Sequence, residues 1–337
     1  MQSNNLSRLE FSSLSGYNFY LFPDGRIEDV TTATHVPSDT TVRVVPLGER
    51  QSKMTRRQAK WHSTILLDPI LMDSIEWPVD IVETVEDDAI KLYYIFNQRA
   101  YPTLTPLREL LFENPQLPKN ELDWRNPWVM TISKNLLKAF DELDRNGYMY
   151  HNFNMNQIFY NDRTGEVLLK FSTKLRRKGS ESVFDEIDCR AIATEFAPPY
   201  IYDKEKYNGK LDENSDYYQI AAMLFRLMIG RLPYEGNQFY NYGTVMNKMV
   251  NIDPGAYRQY FWAYHKYPHF IFDETDKSNE LGETIDHEAA RERWAKLPDE
   301  FKAQFRRVLR QSTALREENI DLPTPGQWLR ALEMLSK

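Results

Sequence analysis

The stretch Ser215-Asp-Tyr-Tyr-Gln-Ile-Ala-Ala-Met-Leu-Phe-Arg-Leu-Met-Ile-Gly-Arg-Leu-Pro-Tyr234 decides the fold of this chain. Apolar residues fall nearly all round its helical period, which marks a helix packed on every side and not one lying on the surface with a single apolar stripe. Gly230 and Pro233 stop it, glycine by its freedom to turn left-handed and proline by its missing N–H. A helix buried all round needs a large body of protein about it. The chain has 337 residues, 42% of them hydrophobic, enough for one two-lobed unit or two modest domains.

Upstream, Val129, Ile132, Leu136, Leu137, Phe140 and Leu143 recur at helical spacing between Pro127 and Asn146, and Gly147 follows as a cap. That helix leads into Tyr148-Met-Tyr-His-Asn-Phe-Asn-Met-Asn-Gln-Ile-Phe159, after which comes the apolar run Glu166-Val-Leu-Leu-Lys-Phe-Ser172. This order of helix, polar loop, apolar hairpin and buried helix resembles the C-terminal lobe of a protein kinase. The buried helix is similar to the kinase helix that starts with Asp and ends Gly-x-x-Pro-Phe, with Asp216 as its structural anchor. The loop resembles the kinase pattern His-Arg-Asp-Leu-Lys-x-x-Asn-Ile-Leu. Tyr150, His151 and Asn152 stand at His-Arg-Asp, Asn154 at the lysine and Gln157 at the metal-binding Asn.

The resemblance covers roughly residues 15–335 and implies an α+β, bilobal protein-kinase-like fold. A small antiparallel β N-lobe would span 15–97 and a larger helical C-lobe 98–337, after a tail of residues 1–14. Tyr17-Asn-Phe-Tyr-Leu-Phe22, Arg26-Ile-Glu-Asp-Val30 and Thr40-Thr-Val-Arg-Val-Val45 read as strands, with a turn at Pro23-Asp-Gly25. Residues 51–67 suit a basic helix with Met54, Trp61 and Ile65 on one face. Residues 73–82 and 90–96 read as paired strands around the acidic turn at 86–88. Prolines 102, 106, 115 and 118 mark the crossing into the second lobe, with a short helix at 105–112, and helices at 288–311 and 324–335 close the chain. Trp294, Leu297-Pro298, Phe301, Phe305 and Thr324-Pro-Gly-Gln-Trp328 resemble the C-terminal part of a bacterial kinase-like subgroup. Its loop often reads Gly-Asp-x-Asn-x-x-Asn, and His151 to Gln157 align with that version without a gap.

The same alignment removes the chemistry. Phosphoryl transfer needs a base or orienting carboxylate for the attacking hydroxyl, and an Asn and a later Asp to hold the magnesium ions. Asn152 is an amide at the carboxylate position, and Gln157 replaces the Asn. Lys170, Phe171 and Ser172 stand where Asp-Phe-Gly would be, so a lysine that repels cations takes the metal position. The third strand of the N-lobe offers only Arg43 for the phosphate-binding lysine, the following helix has no acidic residue to pair with it, and no Gly-rich loop joins the first two strands. Arg43 and Asn154 would line a degenerate cleft. At the end of the activation segment, Ala193–Ile201, Tyr200 replaces a glutamate, and the matching downstream stretch, Leu322-Pro-Thr-Pro325, lacks the arginine that would pair with it. Removing only one member of such a buried pair costs about 3–5 kcal/mol. Paired losses therefore point to a stably folded variant.

The formal charge of −7 and pI near 5.5 argue against nucleic acid as the main ligand. Cys189 is the only cysteine, so no intrachain disulfide can form. No apolar run approaches the roughly 20 residues of a membrane span, and the polar start has no signal-peptide core, so a cytoplasmic protein is expected.

Several features carry two readings. His151 could substitute as a base or serve packing. Asp185, Glu186 and Asp188 could rescue metal binding or lie solvated opposite the basic run Lys174-Leu-Arg-Arg-Lys178, which in turn could dock an acidic partner or form a plain exposed loop. The aromatic-rich stretch 257–272 could be core or a partner surface. The expectation is a pseudokinase with no cofactor and no metal, acting as a protein-binding regulator or scaffold. The resemblance to the bacterial subgroup implies, as partners, a metal-dependent protein phosphatase and a von Willebrand A-type domain protein. The alternatives are an atypical nucleotide-binding transferase on the same fold, moving a phosphoryl or nucleotidyl group, and a scaffold whose cleft is filled by side chains such as Phe171 and Tyr150.

Overall fold

The computed structural model describes residues 9–13, 19–22, 31–49, 74–86, 89–97, 104–113, 122–152, 154–172, 174–179, 196–199, 211–237, 268–283, 285–310 and 321–335. By its contacts the chain divides into two units, Met1–Pro102 and Thr103–Lys337, a few residues beyond the 97/98 boundary read from the sequence.

Among its described residues the first unit has six antiparallel strands: β1 Leu9–Ser13, β2 Phe19–Phe22, β3 Thr31–His35, β4 Thr40–Glu49, β5 Pro78–Glu86 and β6 Ala89–Asn97. They close into a barrel in the order β1-β2-β3-β4-β6-β5, the closure made by Ser12 and Ser13 of β1 against Glu83 and Val82 of β5. Side chains alternate across a strand, and Tyr20, Ala33, Val42, Val44, Val82, Tyr93 and Ile95 form the buried core. The Tyr20 hydroxyl donates to buried Asp80 at 2.9 Å. Burial, followed by the Asp80 charge and hydrogen bond, pushes this phenol above its ordinary range.

Two strands depart from the sequence expectation. Leu9–Ser13, assigned to the tail, pairs with both β2 and β5. Thr31–His35 was not read as a strand because Ala33 alone supplies its buried apolar side chain. As a result Arg43 lies on the fourth strand, not the third. The turn at 23–25, the strand at 26–30, the basic helix at 51–67, Cys189, the acidic cluster at 185–188, Tyr200 and residues 257–267 lie outside the described residues.

The second unit is organised around α2 (Glu213–Ile229), in which every residue from Ser215 to Ile229 is buried. Its start is a reciprocal cap between Asp212 and Ser215, two residues earlier than the apolar pattern alone places it, and it ends on left-handed Gly230. α1 (Pro127–Arg145) begins at Asn126, whose carboxamide accepts from the Trp128 N–H at 3.0 Å. Gly147 follows with φ of 75°. β8 (Tyr148–Met149), a 3₁₀ turn (Met155–Gln157), β9 (Ile158–Asn161), β10 (Val167–Leu169) and β11 (Arg176–Arg177) make the polar loop and its hairpins. β7 (Leu104–Pro106) pairs with β9, so the helix expected at 105–112 gives way at its start to a strand, and a π-helical turn at Glu109–Glu113 follows.

α3 (Ile285–Lys296), α4 (Asp299–Leu309) and α5 (Pro325–Leu335) are the other helices among the described residues of this unit; the single helix read over 288–311 is broken at Leu297-Pro298. Phe225 of α2 meets Phe270, Phe272, Trp294 and Phe305 with ring centroids 5.3 to 6.2 Å apart. The end of the aromatic-rich stretch is thus core: Phe270 is buried, and Phe272 stacks on Trp294 at 4.5 Å.

Candidate functional site

The loop between β8 and β9 is held from beneath by one carboxylate. Asp216, in the first turn of α2, accepts the backbone N–H of Tyr150 at 2.5 Å and of His151 at 2.8 Å. The His151 ring nitrogen Nδ1 lies 3.3 Å from the same carboxylate. His151 is left-handed, with φ of 50°, and fully buried. A non-glycine residue adopts that backbone only where its surroundings insist on it, and here two backbone donors turned onto one buried carboxylate supply the constraint. Of the two readings of His151, packing is the one its complete burial supports.

Asn152, at the position of the catalytic carboxylate, is also buried. Its side-chain oxygen accepts the Asn154 N–H at 3.2 Å and its carbonyl accepts Gln219 Nε2 at 2.7 Å. Asn154 in turn caps the 3₁₀ turn through the Asn156 N–H at 3.0 Å. The carboxamides at 152 and 154 therefore shape the loop. A neutral amide cannot take a proton from a hydroxyl near neutral pH, so Asn152 supplies no general base.

Gln157 accepts the Lys170 N–H at its carbonyl, 2.8 Å away, and the Tyr150 hydroxyl donates to the Lys170 carbonyl at 2.8 Å. The structure thus brings Tyr150, Asn152, Asn154, Gln157 and Lys170 together. The Lys170 ammonium sits 4.5 Å over the Phe159 ring, a contact in which the ring face attracts the cation. Tyr150 is fully buried, edge-on to Phe140 at 5.8 Å, so it packs within the second unit. Phe171 is half-buried, and Ser172 is buried with its hydroxyl accepting the Lys174 N–H at 3.1 Å. Among the described residues no group of three or more His, Cys, Asp or Glu side chains could hold a metal ion.

Arg43 belongs to the first unit. It faces away from Val42 and Val44, pairs with Glu76, and lies 4.6 Å over Phe96, its cross-strand neighbour. Its guanidinium is therefore engaged by a carboxylate from the segment just before β5. Sequence reasoning missed Glu76 as that partner, because it sought a glutamate in residues 51–67.

No family profile matches the chain, and no curated protein matches it. Solved structures do. One is ROP2 from Toxoplasma gondii, described as a virulence factor with a protein-kinase fold and no enzymatic activity. It is 15% identical, with a TM-score of 0.51, over 98% of this chain and 86% of that one. With the two units and the anchored loop already in place, this likeness gives the conclusion that the chain has a bilobal protein-kinase-like fold.

Proposed function

We propose that the chain is a pseudokinase: a kinase-like fold that does not transfer phosphate and works through the proteins it binds. The observation that carries this reading is Lys170. Its ammonium occupies the sequence position of the magnesium carboxylate and rests 4.5 Å over Phe159, so the position offers a cation no ligand. Magnesium normally neutralises the charge developing on the transferred group, and hard cations require oxygen ligands. The amide at Asn152 removes the second requirement independently. The description of ROP2 as a kinase fold without enzymatic activity supports the reading by analogy of fold.

In this reading the chain is a cytoplasmic regulator or scaffold in a bacterial signalling system. A metal-dependent protein phosphatase and a von Willebrand A-type domain protein are its candidate partners. Thermal unfolding with ATP alone and with ATP plus magnesium tests the first half. A ligand at 100 times its Kd stabilises the folded state by about 2.7 kcal/mol. No shift in either condition is expected. A magnesium-dependent shift would overturn the reading in favour of an atypical transferase. Co-purification with the phosphatase tests the second half, and failure to capture it at micromolar concentration would remove that partner.

A further inference from the structure

The start of the segment that follows the loop is fixed by a cation set among acidic groups. The Lys178 ammonium lies 2.6 Å from Asp144 Oδ1 and donates to the Tyr217 hydroxyl at 3.0 Å. That hydroxyl donates to the same Asp144 oxygen at 2.6 Å. Asp144 is in the last turn of α1 and Tyr217 in the first turns of α2, so one ammonium joins three elements. The Tyr217 phenol is pushed above its ordinary range by burial first, then by the hydrogen bond to and charge of Asp144, with Glu213 and Asp216 adding to it. It stays a donor at any working pH.

The same segment is also held by Leu175, which is buried, and by short backbone pairing. β11 is two residues long, pairing Arg176 with Met149 and Arg177 with Tyr148. Arg177 donates to the Tyr148 hydroxyl at 3.2 Å, and the Lys178 N–H reaches the Gly147 carbonyl at 2.7 Å. A two-residue ladder is marginal alone. Asp144, Glu213, Asp216 and Tyr217 line one small pocket with Phe140, Leu143 and Met149. Without Lys178 the Asp144 carboxylate would stand half-buried in that acidic setting with no cation on it.

We propose that Lys178 is a built-in charge latch. It docks residues 174–179 onto α1 and α2 with no added charge such as a phosphate, and the docking is released when the Lys178 charge is removed. The role is independent of whether the protein transfers phosphate. It also answers the question left by the basic run: Lys178 is spent on an internal acidic site and is unavailable to an acidic partner.

Hydrogen exchange followed by mass spectrometry on the full chain tests the latch. Lys178→Gln and Asp144→Asn should each speed exchange in the 174–179 peptide by about tenfold or more, with exchange in α2 unchanged. Lys178→Arg should restore most of the protection. Raising salt should change this exchange little, because a partly buried pair in direct contact is screened much less than an exposed one. Exchange in α2, read in the same experiment, shows that a variant is folded, and Lys178→Arg gives a second variant that keeps the charge. Exchange in 174–179 that is indifferent to loss of the charge, with α2 still protected, would overturn the proposal.

Discussion

Replacing Asp216 by alanine should cost more stability than almost any other single change in the second unit. Asp216 is 5% exposed, and its carboxylate serves the N–H groups of Tyr150 and His151 at 2.5 and 2.8 Å. Each buried donor left without an acceptor costs about 1–3 kcal/mol. Removing the carboxylate also removes its own desolvation cost, which offsets part of the loss. The net is therefore put at roughly 3–5 kcal/mol. For a unit of this size that is a fall of about 6–20 °C in Tm. Asp216→Asn keeps the shape and one acceptor oxygen, and should lose about half as much. Urea unfolding of both variants, with the midpoint falling and the slope unchanged, is the assay. An alanine variant within about 0.5 kcal/mol of the parent would refute the view that Asp216 constrains the left-handed His151.

Phe225→Ala should destabilise by about 3–5 kcal/mol, because it opens a cavity among four aromatic rings; calorimetry checks it, and a loss below about 1 kcal/mol would mean the cluster is not the core. Gly230→Ala should cost more than about 1 kcal/mol, since φ is 78° and a Cβ there would stand 2.5 Å from the Arg293 guanidinium and 3.0 Å from the Leu122 carbonyl. Stability should also fall on acidification through His287. Burial first, then Arg231 and Arg291, pull its pKa below the ordinary value, with Glu235 working against them. Its Nδ1 accepts the Gly282 N–H at 2.9 Å. The folded state thus binds the proton less readily than the unfolded one, so the contribution is present above about pH 6.5 and lost as pH falls below it. Tm measured from pH 7.5 to 5 should drop less steeply in His287→Gln; parallel curves would exclude His287 as a source of the slope.

The helical unit was the more legible half. The all-round apolar pattern of residues 215–229 and the helical spacing of 129–143 each answer to one physical requirement, burial of a helix face, and the observed helices follow them closely. Thr31–His35 escaped because its threonines give no apolar alternation, although their β-branching was the available signal. β1 escaped because two of its pairs close a barrel against a strand about seventy residues away, a long-range pairing that no local pattern encodes. At the site, the residue types at 152, 157 and 170 were readable directly. The partners were not: Glu76 for Arg43, Phe159 for Lys170 and Asp144 for Lys178 are each set by tertiary contact. Asp216 stands out in the sequence only through the resemblance, as a structural anchor, and its two hydrogen bonds to the loop are likewise set by tertiary contact.

The central claim is that this kinase-like fold transfers no phosphate. The most direct measurement incubates the purified chain with ATP labelled on its γ-phosphate, with magnesium and separately with manganese, and follows label on the chain itself, on added protein substrates and in released phosphate. The account predicts no transfer above a no-protein control, and none after Asn152→Asp, because Lys170 still offers no metal ligand. Labelling by the unaltered chain that is lost on Lys170→Ala would contradict it, and would make Lys170 part of a transfer site.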